Sequence, residues 1–104
     1  MHKRQHQRLT KRLETIFSSG DMSFTGISSN LSEGGLFIRS RHGFVPGSII
    51  DIELLLPEGK VSFLKGRVKR TLKTPLSGLK NGMGIELIKK DVAYINFLRS
   101  LSMS

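Results

Sequence analysis

With 104 residues, 38% of them apolar and 24% charged, the chain has room for one soluble globular domain and not for two. It has no cysteine, which excludes a disulfide framework and a thiolate metal site, and no apolar run approaches the ~20 residues of a membrane span. Seventeen Lys and Arg against eight acids give a formal net charge of +9, a bias that favours an anionic partner: nucleotide, nucleic acid or lipid head group.

The charge is uneven. Residues 1–12 carry Lys3, Arg4, Arg8, Lys11 and Arg12 and no acid, and they lack hydrophobic periodicity. They read as a flexible basic arm preceding a domain over 13–104. No hydrophobic signal segment follows the basic start, so the expected location is the cytoplasm. Leu13 to Phe17 and Phe24 to Ile27 read as short strands, and Ser18-Ser19-Gly20-Asp21 between them as the turn of a hairpin. Asn30 to Gly35 is a polar, glycine-rich break. Leu36-Phe37-Ile38 is a short apolar run, hence a buried strand.

His42 to Gly47 is a loop. In Ile50-Asp51-Ile52-Glu53-Leu54 acids alternate with apolar residues, the period of a half-buried strand. Pro57-Glu58-Gly59-Lys60 is turn material. Val61 to Thr71 is a longer strand with Leu64, Gly66 and Val68 on one face and Lys65, Arg67 and Lys69 on the other. Gly66 within it marks a bulge or tight bend. Residues 74–82 form a loop, and Gly84 to Ile88 a last strand. Asp91 is placed to cap a helix over about 91–102, with Tyr94, Ile95, Leu98 and Leu101 at helical spacing. Many short strands and one terminal helix predict an all-β fold, and in a chain this short a closed barrel disposes of sheet edges best.

Two patterns carry chemistry. Asn30, Ser32 and Gly35 form N-x-S-x-x-G, and Arg8 and Arg12 form R-x-x-x-R upstream. Arg4 and Arg8 share that spacing; Arg8 and Arg12 are preferred because a strand starts directly at Leu13. If residues 13–28 form a hairpin, Arg12 enters and Asn30 leaves at the same open end. Asn30 offers a donor and an acceptor, and Ser32 a hydroxyl. Gly34 and Gly35 can adopt positive φ and let a ligand approach the backbone. A guanidinium binds phosphate bidentately or the O6 and N7 edge of guanine. Each pattern alone reads as an ordinary turn or a solvated tail. Together they point to an anionic ligand that carries purine bases.

Arg8-Leu9-Thr10-Lys11-Arg12 followed by Asn30-Leu31-Ser32-Glu33-Gly34-Gly35-Leu36 resembles the PilZ domain family. The Gly66-Arg67-Val68 and Gly84-Ile85-Glu86-Leu87 strands fit the same pattern. The resemblance implies a six-stranded antiparallel, Greek-key-like barrel with a C-terminal helix. It also implies a bacterial receptor for cyclic di-GMP that acts as a ligand-dependent switch on an effector protein, which the sequence does not identify. By that analogy Arg8 and Arg12 contact guanine and phosphate, Asn30, Ser32 and Gly35 complete the pocket, and Gly34 contributes backbone. Arg4 is a possible additional contact. Asn30 stands where the family often has Asp, and Leu87 where it often has Phe.

His2, His6 and His42 lack ligand spacing, so no metal is expected. No triad, P-loop or carboxylate pair suggests an enzyme, and no cofactor is implied. Phe37 and Phe63 read as core residues rather than base-stacking platforms. The alternatives are a basic barrel binding single-stranded nucleic acid and a ligand-free structural adaptor. Few aromatics count against the first, and the intact arginines against the second.

Overall fold

The computed structural model describes residues 11–72 and 81–102. Arg4 and Arg8, with the rest of the basic arm before Lys11, lie outside the described residues. Six strands follow in chain order: β1 (Leu13–Ser19), β2 (Met22–Ser29), β3 (Gly35–Arg39), β4 (Ile49–Leu55), β5 (Val61–Leu72) and β6 (Gly82–Lys89). A short 3-10 turn, Pro57–Gly59, joins β4 to β5, and helix α1 (Val92–Ser102) follows β6. All six strands and the helix fall where the sequence places them, though β2 and β6 each start two residues early.

The strands close into an antiparallel barrel in the order β1-β2-β3-β6-β5-β4. Pairing of Thr15–Ser18 with Asp51–Leu54 closes it. The β1–β2 hairpin has the anticipated open end, since Leu13 pairs with Ser28. Its turn is tighter than expected. Ser18 and Ser19 remain in the ladder, and Gly20 takes φ +60° at the first central position, where a glycine costs nothing.

Alternation fills the barrel. Ile50, Ile52 and Leu54 of β4 point inward with Phe17, Ile38, Leu64, Val68, Met83 and Ile85. The inward polar side chains are satisfied: the Thr15 and Ser28 hydroxyls face each other across β1 and β2 at 2.6 Å. Phe63 is not part of this core. It sits on the outer face, 62% exposed, because it has the parity of Lys65 and Arg67.

One barrel end carries Phe17, Phe24 and Phe44 in mutual ring contact, with His42 stacked on Phe24 at 4.4 Å. Helix α1 covers the other end. Its inner stripe is Tyr94 and Leu98, both buried, with Ala93 and Phe97 packed alongside. Asp91 starts the helix as predicted, accepting from the Tyr94 N–H at 2.9 Å. The same carboxylate accepts from the Ser62 hydroxyl and the Phe63 N–H, each at 2.7 Å, which ties the helix start to β5. Partial burial works to push the Asp91 carboxyl up, but these three hydrogen bonds and one from its own backbone together outweigh it and hold it below the usual aspartate value.

Candidate functional site

The loop between β2 and β3 is built from its backbone outward. Asn30 takes φ +53°, the left-handed region. Among non-glycine residues asparagine tolerates it well, so the chain turns here without a glycine. Gly34 and Gly35, expected to supply positive φ, do not. The requirement at Gly35 is space: a Cβ there would collide with the Ile85 carbonyl, because Gly35 pairs with Glu86 across the β3–β6 ladder. Around Gly34 nothing lies within 4 Å of such a Cβ.

Leu31 drops into the core, and Ser32 closes a tight turn. Its N–H donates to the Gly35 carbonyl at 3.0 Å, and its hydroxyl accepts from the Gly35 N–H at 3.2 Å. The serine is thus engaged in shaping the loop. Three further bonds pin the loop to its neighbours. The Leu87 N–H donates to the Gly34 carbonyl at 2.9 Å, the Lys90 Nζ to the Glu33 carbonyl at 2.8 Å, and the Tyr94 hydroxyl to the Ser32 carbonyl at 2.6 Å. The Asn30 amide is exposed and has no hydrogen-bond partner among the described residues. It remains available to a ligand.

Asn30, Ser32, Gly34 and Gly35 line a surface concavity of about 460 Å³. Its other walls come from β3, β5 and β6: Phe37, Lys69, Arg70, Gly84 and Glu86. Phe37 is therefore half-buried on the outside of the barrel, and not the core residue its strand suggested. Arg12 is exposed and precedes Leu13. Continuing the β1–β2 register by one residue sets it opposite Ser29, next to Asn30. The hairpin thus brings the second arginine of R-x-x-x-R to the start of the N-x-S-x-x-G loop.

Sequence reasoning missed Arg70. Strict alternation gives it the inward parity of Leu64, Gly66 and Val68. The β5–β6 register shifts twice, between Lys65 and Gly66 and again between Val68 and Arg70. The second shift makes Lys69 an extra residue, so Lys69 and Arg70 both end exposed on the outer face. The first shift is the irregularity that Gly66 signalled, and a Cβ at Gly66 would meet the Ile85 side chain. Glu86 lies between the cations, 3.5 Å from Arg67 and 3.8 Å from Lys69. Among the described residues no cluster of His, Asp or Glu is arranged to hold a metal ion, and no helix is long and apolar enough to cross a membrane.

Comparison with known proteins fits this architecture. The family model described as PilZ domain matches residues 2–104, and the chain belongs to that family. Among solved structures, the chain is similar to the Bacillus subtilis inhibitor of motility MotI/DgrA, with a TM-score of 0.74 at 20% identity. That similarity covers 100% of this chain and 54% of the other, so the chain spans about half the length of that protein, and the likeness is one of fold. No curated protein matches the chain.

Proposed function

We propose that this chain is a cyclic di-GMP receptor module, with the ligand held on the outer barrel face between the basic arm and the Asn30–Gly35 loop. The observation that carries this reading is the convergence at the open end of the β1–β2 hairpin. Arg12 enters there, Asn30 leaves there, and the loop lines a concavity whose far walls are cationic. The ligand has two phosphates and two guanines. Arg8 and Arg12 supply guanidinium forks for phosphate and for the O6 and N7 edge of guanine. The unpartnered Asn30 amide supplies a donor and an acceptor for a base edge. Ser32 and Gly35 hold the loop in shape, and Gly34 leaves the backbone open to close approach.

Binding draws residues 1–12 against the barrel, and the arm and ligand together form a new surface for an effector protein. Among the described residues the site offers groups suited to recognition, as a receptor needs.

Titration calorimetry with cyclic di-GMP tests the reading, with GMP and a single-stranded oligonucleotide as controls. Removing either Arg8 or Arg12 should cost about 2–5 kcal/mol, or ~30- to several-thousand-fold in affinity. Absence of binding at tens of micromolar in low salt, or undiminished binding by an Arg8→Ala, Arg12→Ala double variant, refutes it.

A further inference from the structure

The wall of the concavity facing the Asn30 loop has a charge pattern that neither motif contains. Arg70 has no ion-pair partner among the described residues. Its cross-strand partner is Gly84, and a Cβ on Gly84 would stand 3.5 Å from the Arg70 Cγ and 3.9 Å from its Nε. The arginine stem therefore lies along bare backbone, at ordinary contact distance from where a Cβ at position 84 would stand. Lys69 is shared: it stands 3.8 Å from a Glu86 carboxylate that also holds Arg67 at 3.5 Å. One carboxylate thus serves two cations, and both Lys69 and Arg70 face the same cavity as Asn30, Ser32 and Gly35.

A β-bulge that turns a second consecutive side chain outward disturbs a ladder, and here it lies next to the candidate site. Its effect is to place two adjacent cations where alternation would place one. The phosphodiester class of ligand suits such a pair: a guanidinium grips two oxygens of one phosphate, and a neighbouring ammonium adds a point charge.

We propose that Lys69 and Arg70 form a fixed phosphate-binding wall of the site, opposite the Asn30 loop, with Arg70 as the direct ligand to a phosphodiester oxygen pair. The inference rests on the reading of this cavity as a cyclic di-GMP site. It assigns the barrel, and not the arm alone, a share of the phosphate charge. Glu86 then acts against binding, because it competes with the phosphate for Lys69.

The experiment is a calorimetric titration of the whole chain with cyclic di-GMP, comparing wild type with a Lys69→Met, Arg70→Met double variant and with Lys65→Met. Lys65 is on the same strand but outside the cavity, paired with Asp51 at 3.5 Å. The double variant should lose about tenfold or more in affinity, with a weaker dependence on salt. Lys65→Met should stay within about twofold of wild type, as expected for an exposed ion pair. An Arg70→Lys variant, which keeps charge and strand packing, should fall in between. If wild type binds and the double variant binds within about twofold of it, the wall is refuted and the receptor reading stands. Equal losses in Lys65→Met and the double variant would reduce the effect to net charge and refute the wall as well. If wild type does not bind, both fall.

Discussion

The buried Tyr94 hydroxyl donates to the Ser32 carbonyl at 2.6 Å, joining helix α1 to the N-x-S-x-x-G loop across 62 positions of sequence. The side chain is fully buried at the barrel end, and the bond fixes the carbonyl of the residue that closes the loop's turn. Tyr94→Phe keeps the ring and deletes the bond. It should cost about 1 kcal/mol in chemical denaturation and roughly three- to tenfold in ligand affinity. Unchanged affinity with lowered stability would limit the tyrosine to a structural part.

The same phenol gives an alkaline signature. Burial pushes its pKa up from the usual value near 10, and the Glu33 carboxylate adds to that. A raised pKa means that the stabilisation is complete below the unfolded value of about 10 and is lost as pH rises from there through the folded value. Wild-type stability should therefore fall more steeply above about pH 10 than that of Tyr94→Phe. Parallel curves for the two proteins would contradict this.

Asp91 gives the opposite limb. Its carboxyl is held below the usual aspartate value of about 3.8, so its contribution is present above that value and lost as pH falls through the lowered one. Asp91→Asn should cost about 1–2 kcal/mol at neutral pH, through the weakened cap and the bonds to Ser62 and Phe63. Its stability should also decline less steeply than wild type below about pH 4. Urea denaturation at several pH values reads both effects.

Gly34 and Gly35 are adjacent and should respond differently. Gly35→Ala drives a Cβ into the Ile85 carbonyl and should cost about 1–3 kcal/mol, with strand β3 shifted from β6. Gly34→Ala meets nothing and should stay within about 0.5 kcal/mol of wild type. Thermal melts of the two variants decide the matter, and equal losses would contradict the packing account.

Asn30 separates backbone from side chain. At φ +53°, Asn30→Gly relieves the left-handed conformation and should leave stability within about 0.5 kcal/mol, while the loss of the amide should weaken ligand binding by roughly 0.5–1.5 kcal/mol. Asn30→Val should destabilise the fold outright, since a β-branched residue resists this φ. A tight-binding Asn30→Gly variant would remove the amide from the site.

Much of this was legible in the chain. The acid–apolar alternation of Ile50 to Leu54 announced β4, Gly66 announced an irregular β5, and Asp91 announced the helix start. Each is a local signal, set by the period of a strand or by one residue's backbone freedom. Arg70 was hidden because the bulge that turns it outward is a property of the pairing between β5 and β6, not of β5 itself. Phe63 and Phe37 were misassigned to the core because their apolar character outweighed their parity with outward neighbours. The Tyr94–Ser32 bond had no local signature at all: it exists only once the barrel has brought the helix to the loop.

The pairing of β1 with β4 has a bearing on how any effector could recognise this domain. Where Thr15–Ser18 and Asp51–Leu54 pair, neither strand has a free edge, so a partner cannot dock there by contributing a strand. Recognition at that seam passes through side chains. It should be sensitive to single side-chain substitutions on the barrel and indifferent to blocking the backbone amides of a partner peptide.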